Sequence, residues 1–206
     1  MRCFSILCLF CASFAYAIDL GGVTRGSTEV VTYLPVAERT KNVGGSDGAG
    51  LCVFSSIGHA ARYQNIDALK NIQKWMRSKP GGGYPSKVDK VIAQICQEQN
   101  VEKVQYLQYE GTDLSIIQAV LASGRMACVT YDGRDPHYRQ HIEHMVNVVA
   151  CTNEWVCVLD NNFIEDGGLV WLTPAEFKSR WIGGNGRQGW LVVLLGPGLP
   201  PERKSP

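Results

Sequence analysis

The sequence has almost no net charge and, beyond its first residues, no long apolar run. Its 20 Lys and Arg residues face 19 Asp and Glu residues, which gives a formal net charge of +1. Such a balance argues against nucleic acid or an acidic surface as the partner. Internal repeats and heptads are absent. With 206 residues, 45% of them apolar, the chain suits one domain with a full-sized core.

The one marked apolar run lies in residues 1–17, "MRCFSILCLFCASFAYA". Arg2, the apolar run and Ala15-Tyr16-Ala17 form the pattern of a signal peptide with a cleavage site after Ala17. The run is short for a membrane span, although an N-terminal anchor is the alternative reading. We expect a secreted or periplasmic (extracytoplasmic) protein with no stable membrane insertion after the signal is removed.

Export determines how many cysteines remain in the mature protein and whether they can form disulfides. Eight are present, and three of them lie within residues 1–17. The remaining five are Cys52, Cys96, Cys128, Cys151 and Cys157. An odd number in an oxidising compartment leaves at least one thiol outside any intramolecular disulfide. Cys52 has the most distinctive surroundings, whereas the other four can pair with one another or be buried as small apolar residues.

The order of predicted elements indicates the fold class. Residues 18–43 are expected to form an extended N-terminal arm, and residues 197–206 a flexible, proline-rich tail. Apolar spacing predicts helices over 52–63, 65–79, from about 86 onward, and over 112–124 with Thr112 as N-cap. A strand is predicted near 101–110, before the helix over 112–124. After that helix, β-rich runs follow at 125–133, 144–152, 154–162, 168–173 and 189–197, with a short helix at 173–181. Helices followed by strands predict an α+β fold with an antiparallel sheet.

Cys52 stands where a glycine-rich loop, "GGSDGAG" at 44–50, becomes a predicted helix. Unpaired N–H groups and a partial positive charge at a helix start stabilise the reactive thiolate form of cysteine. The glycines allow a tight turn and a close approach of substrate to backbone. Cys52 is therefore a candidate nucleophile, the alternatives being a buried thiol at a helix start and a disulfide-bonded one.

A cysteine nucleophile needs a base, and the base needs a group that orients it. His144 begins a predicted strand, the chain turns at 152–154, and Asp160 directly follows the next predicted strand. In a hairpin about that turn, the start of the first strand lies beside the end of the second. We therefore expect His144 to neighbour Asp160, or Asn161 if the strand ends one residue later.

This order of a helical cysteine, a strand-borne histidine and an Asp or Asn after the next strand resembles the papain-like cysteine peptidase superfamily. The size and the ending "LTPAEFKSRWIGG…GWLVVLL" resemble its compact C39-like branch, and the resemblance spans residues 44–196. It implies a papain-like α+β domain with the nucleophile on the first helix. It also implies that Cys52 is the nucleophile, His144 the general base and acid, and Asp160 (alternatively Asn161) the orienting residue, with no cofactor.

Two family features are missing. The signature C-G-[SA]-C-[WY] is absent, and the Gln expected about six residues before the nucleophile, in the oxyanion hole, is replaced by Ser46. Ser46 and the Cys52 N–H are the candidate oxyanion donors, whereas the carboxylate of Asp47 would repel an oxyanion.

We expect a secreted thiol hydrolase that cleaves a peptide or isopeptide amide, with a peptide or protein as substrate. One alternative is a catalytically weak papain-like module that binds a peptide in its cleft. Another is a disulfide-linked structural protein. Nothing in the sequence sets an oligomeric state.

The remaining distinctive residues have weaker cases. His137, His141 and His144 recur at a spacing seen in metal sites, but no cysteine or carboxylate pattern completes a zinc site, so no metal is expected.

His59, two turns along its helix, is expected at the surface or at the edge of the core rather than as the base. Trp181 and Trp190 are expected to pack in the core rather than to line a substrate cleft.

Overall fold

The structure is a computed structural model that describes residues 24–134, 138, 140–165, 168–181 and 189–198. The expected signal peptide, the first residues of the arm and residues 199–206 of the tail lie outside these ranges. The helices are α1 (Cys52–Tyr63), α2 (Ile72–Met76), α3 (Pro85–Glu98), α4 (Leu114–Ala122) and α5 (Pro174–Trp181). The strands are β1 (Thr24–Arg25), β2 (Thr28–Glu29), β3 (Tyr106–Glu110), β4 (Ala127–Gly133), β5 (Ile142–Cys151), β6 (Val156–Leu159), β7 (Leu169–Leu172) and β8 (Trp190–Leu194).

The six strands from β3 onward form one antiparallel sheet. Their order across the sheet is β3-β8-β4-β5-β6-β7, with every neighbouring pair antiparallel. The sheet-forming residues follow the first three helices along the chain, so the predicted α+β class is confirmed. The short strands β1 and β2 form a separate hairpin in the arm.

Helices cover both faces of the sheet. Met145 and Val149 of β5 pack in the same cluster as α1, α2 and α3, whereas Val146 and Val148 pack in the cluster that contains α4 and α5. This division follows from the alternation of side chains along a strand. Trp181 is fully buried in the second cluster and Trp190 is buried in the first, so both tryptophans pack in the core as expected.

The second predicted helix, over 65–79, is wrong in its continuity. The structure has a 3-10 turn at Asp67–Leu69 and then the short α2. Asn65 has a positive φ of 57°, so the chain reverses before the turn begins. Leu69 and Ile72 still reach the core, which shows that their spacing reflects burial rather than one unbroken helix.

The N-cap of α4 is Asp113 rather than Thr112, because the Asp113 side chain accepts a hydrogen bond from the Ser115 N–H at 2.9 Å. Gly124 follows the helix with a φ of 72°, as its predicted place at the helix end requires.

The arm packs tightly against the domain over its last residues. Leu34 and Arg39 are buried, and the Arg39 guanidinium donates to the carbonyls of Leu34 and Ile164 at 2.8 and 3.0 Å. Thr40 accepts a hydrogen bond from the Ser55 hydroxyl of α1 at 2.9 Å. These bonds hold the arm against the helix that carries Cys52. Within the described ranges, no helix has the length and apolar character needed to cross a bilayer.

Candidate active site

Cys52 is the first residue of α1 and is half-buried. The loop before it closes as a small hairpin through a bridge between Gly44 and Gly50. The N–H of Leu51 donates to the Asn42 side chain and to the Val43 carbonyl, each at 2.9 Å, which fixes the chain directly before the thiol. Among the described residues, no side chain caps α1, so the first N–H groups of the helix have no side-chain acceptor at the N-cap.

A second glycine-rich segment packs against this hairpin. The Gly82 N–H donates to the Gly50 carbonyl at 2.8 Å. A Cβ on Gly83 would lie 2.5 Å from the side chain of Val53, the residue after Cys52, and one on Gly81 would lie 1.9 Å from the Ala49 carbonyl oxygen. Glycine at these positions lets the two segments approach closely beside the thiol.

His144 is the third residue of β5, so the expectation that it begins the strand is wrong by two residues. The strand starts at Ile142 because Ile142 still pairs with Gly133 at the end of β4. The His144 side chain is almost fully buried, and its Nε2 lies 2.8 Å from Oδ1 of Asp160. The Cys52 thiol lies close enough to the ring to contribute to the raised pKa of His144. Since Nε2 binds Asp160, Nδ1 is the nitrogen left for the sulfur. The structure thus brings Cys52, His144 and Asp160 together.

A β-bulge interrupts β5 between His144 and the turn that leads to β6. The pairing of β5 with β6 shifts by one residue between Val148 and Ala150. The carbonyl of the extra residue, Val149, turns toward the arm and accepts hydrogen bonds from the N–H groups of Val31 and Thr32, both at 2.9 Å. The arm therefore supplies the partners that the bulged carbonyl lacks within the sheet.

The pairing of the two strands ends close to the site. Val148 pairs with Val158, and Asn147 pairs with Leu159, the last residue of β6. Asp160 directly follows Leu159, so it leaves β6 beside the stretch of β5 that carries His144.

The electrostatics of the pair favour a charged histidine. Burial, the largest single influence, lowers the pKa of His144, but the hydrogen bonds and charges of Asp160 and Cys52 outweigh it and raise the pKa to about 9. Burial likewise acts to raise the pKa of Asp160. The hydrogen bond and the charge of His144, together with the hydrogen bond from the Asn162 N–H, outweigh burial and bring the pKa of Asp160 below its usual value. At neutral pH the site therefore holds an imidazolium beside a carboxylate.

Asn161, the alternative orienting residue, contacts the helix instead of the histidine ring. Its Nδ2 donates to the carbonyls of Cys52 and Met145 at 3.2 and 2.8 Å and to the Ser56 hydroxyl at 2.9 Å. The side chain is fully buried and ties the first turn of α1 to β5. Its contacts fix the spacing between the elements that carry the thiol and the imidazole.

Tyr138 and Asn162 also contact Asp160, and of the two only Tyr138 is unmarked in the sequence. The Tyr138 hydroxyl donates to Oδ2 of Asp160 at 2.7 Å and accepts from Nδ2 of Asn162 at 2.9 Å. The ring of Tyr138 meets that of His144 edge-on, with centroids 6.1 Å apart. Asn162 was visible as the third residue of "DNN", whereas no periodicity marks Tyr138.

Ser46 lies exposed in the hairpin loop, and its N–H donates to the Lys79 carbonyl at 2.9 Å. Asp47 braces the loop: its Oδ1 accepts from the N–H groups of Ala49 and Gly81 at 3.1 and 2.7 Å. The bond from Gly81 is the main reason that the pKa of Asp47 lies below its usual value. The oxygen that was expected to repel an oxyanion is thus engaged by the backbone.

His59 is fully buried, which corrects the expectation of a surface or core-edge position. The Thr40 N–H donates to its Nε2 at 2.8 Å, so its Nδ1 carries the proton and donates to the Asn147 Oδ1 at 3.1 Å. Burial, the largest influence, lowers the pKa of His59 to about 4. Asn147 itself donates to the Ser56 carbonyl at 3.0 Å. His59 is a neutral core residue joining the arm, α1 and β5.

The other histidines and cysteines lie apart from this arrangement. His141 pairs with Asp132 at 2.8 Å, and His137 lies outside the described residues. No cluster of three or more potential metal ligands occurs in the part of the chain that the structure describes. Cys52, Cys96, Cys128, Cys151 and Cys157 are all free thiols.

Comparison with known proteins finds similarity at the level of structure only. No family model and no curated protein matches the chain. Among solved structures, it is similar to a candidate C39-like peptidase from Bacillus anthracis, with 12% sequence identity and a TM-score of 0.44. The match covers 84% of this chain and 96% of the other.

Proposed function

We propose that the protein is a thiol hydrolase that cleaves a peptide or isopeptide amide through an acyl-enzyme on Cys52. One observation carries the proposal: a buried imidazole stands between a thiol at an uncapped helix start and a buried carboxylate 2.8 Å away. This geometry supports a nucleophile, a proton carrier and an orienting group in one site.

The proposed reaction has two halves. The Cys52 thiolate attacks the carbonyl carbon, and the N–H groups at the start of α1 bind the oxygen as it becomes negative. His144, which begins as an imidazolium, gives its Nδ1 proton to the amine as the C–N bond breaks, leaving a thioester. Neutral His144 then takes a proton from water, whose oxygen attacks the thioester. Release of the acid restores the thiolate and the imidazolium.

Ser46 is the proposed second oxyanion donor, because its side chain is exposed on the loop that precedes Cys52. Its short side chain in place of glutamine is also the feature that favours the alternative of a peptide-binding module with weak catalysis. The two differ in turnover and not in fold, so only a measurement of cleavage separates them.

The test is cleavage of a degenerate peptide library followed by mass spectrometry of the products. The purified protein is expected to release new amino termini, and Cys52→Ala is expected to abolish them. Cys151→Ala is a matched control, since Cys151 is also half-buried but lies at the end of β5. If the wild-type protein binds library peptides and releases no product, the binding module replaces the hydrolase.

Export is the second part of the proposal and rests on the pattern in residues 1–17. N-terminal sequencing of the protein recovered from outside the cytoplasm is expected to begin at Ile18. A sequence that begins at Met1 would overturn this part and leave the proposed chemistry untouched.

A further inference from the structure

The carboxylate of Asp160 is held on both of its oxygens. Oδ1 accepts from His144 Nε2 at 2.8 Å and from the Asn162 N–H at 2.9 Å. Oδ2 accepts from the Tyr138 hydroxyl at 2.7 Å. Asp160 is 1% exposed, so these contacts stand in for water. The orientation that Asp160 presents to the imidazole therefore depends on the hydroxyl at its other oxygen.

The Tyr138 hydroxyl has its own direction fixed. It accepts a hydrogen bond from Asn162 Nδ2 at 2.9 Å, which leaves its proton for Asp160. Asn162 is fixed in turn, because its Oδ1 accepts from Asn42 Nδ2 at 3.0 Å. Asn42 Oδ1 accepts from the Leu51 N–H at 2.9 Å, directly before Cys52. A continuous chain of hydrogen bonds thus runs from Asp160 to the residue before the thiol.

The ring of Tyr138 also contacts two neighbouring aromatic rings. It meets His144 edge-on at 6.1 Å and Phe163 edge-on at 5.4 Å between centroids. The tyrosine thus touches the histidine with its ring and the carboxylate with its hydroxyl, so one side chain contacts both members of the pair.

We propose that Tyr138 is a positioning residue for the Asp160–His144 pair, with its hydroxyl oriented by Asn162. The inference rests on the proposed Cys52 site and deepens it, because it identifies what keeps the carboxylate ionised and aimed at the imidazole. Loss of the hydroxyl leaves Oδ2 of a buried carboxylate without its donor. Asp160 then takes up a proton at a higher pH, and the protonated form no longer stabilises the imidazolium.

The test is the pH dependence of Cys52 alkylation by iodoacetamide, a readout that needs no substrate. In Tyr138→Phe, the acid limb of the rate profile is expected to move to higher pH by about 0.5 to 1 unit. The alkylation rate at pH 5 then falls by about 3- to 10-fold, while the rate at pH 8 stays within about 2-fold of wild type.

Tyr106→Phe is the matched control. The Tyr106 hydroxyl also donates to a carboxylate, that of Asp89, at 2.5 Å, but at the β3 edge of the sheet. Its alkylation profile is expected to superpose on that of the wild type. Tyr138→Phe and Tyr106→Phe remove the same hydroxyl–carboxylate bond, so a difference between them reports on the site.

Asn162→Asp gives the same readout if Tyr138→Phe fails to fold. It keeps Oδ1 for Asn42, removes the donor to Tyr138 and adds a negative charge, so the acid limb is again expected at higher pH. A lowered melting temperature with superposed profiles in both variants would make Tyr138 merely structural and overturn the inference.

Failure of the inference is separable from failure of the proposed function. A shifted alkylation profile in a protein that cleaves no amide would support the positioning role and reject the hydrolase. Cleavage by the wild type with unshifted profiles in both variants would do the reverse.

Discussion

The Nε2 atom of His144 lies 2.8 Å from Oδ1 of Asp160, and neither side chain is more than 2% exposed. Because this contact is buried, solvent and salt screen the charge of Asp160 at the imidazole less than they would at the surface. It is the main reason that the pKa of His144 rises to about 9 against the opposing effect of burial.

Replacement of Asp160 by Asn should move the basic limb of hydrolysis to lower pH. The isosteric amide removes the negative charge, so burial dominates and the pKa of His144 falls, by about one unit or more. The imidazolium that protonates the leaving amine is then lost earlier as the pH rises. The measurement is kcat/KM between pH 5 and 10.

Asp132→Asn is the control for that series. Asp132 is also a buried carboxylate paired with a histidine, His141, at 2.8 Å. Its replacement is expected to leave the basic limb in place. Equal displacement by both variants would show that the limb does not report on the Asp160–His144 contact.

Cys52 should be the first thiol alkylated at neutral pH, since it lies at the start of α1 and beside the His144 ring. Cys151 is an internal comparison because it is also half-buried, while burial raises its pKa to about 11. At pH 7.5 only about one Cys151 in 3,000 is a thiolate. Peptide mapping after timed exposure to iodoacetamide gives both rates. If Cys52 is labelled no faster than Cys151, the proposal that Cys52 is an activated thiol is wrong.

Ser46→Ala should lower kcat by about 10- to 1,000-fold while Cys52 alkylation stays nearly unchanged, if the Ser46 hydroxyl donates to the oxyanion. The exposed Ser78 on the neighbouring segment provides the control variant, Ser78→Ala. Asp47→Asn should not raise kcat, because the carboxylate of Asp47 already braces the loop through Ala49 and Gly81. A rate unaffected by Ser46→Ala places the second donor on another residue.

His59 should make the protein less stable in weak acid. The pKa of His59 is about 4 in the folded state, against the ordinary value of 6.5 that applies in the unfolded chain. Between these two pH values the unfolded chain binds a proton at His59 and the folded protein does not. The penalty is absent above pH 6.5 and reaches about 2 kcal/mol at pH 5. Urea unfolding at pH 7.5 and pH 5 measures it.

In His59→Gln, the difference in the free energy of unfolding between pH 7.5 and pH 5 should shrink by about this penalty, whatever the absolute stability of the variant. His141→Gln, which changes an exposed histidine, should retain it. The account of His59 as a buried neutral residue is wrong if both variants keep the same difference between the two pH values.

The sequence was informative where local chemistry decides the outcome. The start of α1 at Cys52 followed from the glycines before it and the apolar spacing after it, and the β5–β6 hairpin followed from its turn. The α+β order followed from the change of periodicity along the chain. These features depend on neighbours in sequence, so they can be read without the fold.

Features that depend on tertiary packing were missed. The extra residue at Val149, which shifts the pairing of β5 with β6, accepts hydrogen bonds from the N–H groups of Val31 and Thr32, more than a hundred residues earlier. The burial of His59 depends on Thr40 and Asn147 from two other elements. Tyr138 reaches Asp160 from the connection between β4 and β5. No period or motif in the sequence encodes such contacts.

The most direct test of the central claim is to trap the acyl-enzyme. The protein is mixed with a cleavable peptide from the library, quenched in acid within one turnover and digested, and the Cys52 peptide is weighed by mass spectrometry. We expect a thioester on Cys52 whose mass equals the acyl half of the substrate, absent in Cys52→Ala and strongly reduced in His144→Gln. Cleavage that proceeds with no adduct on Cys52, or an adduct that forms equally well in His144→Gln, would contradict it.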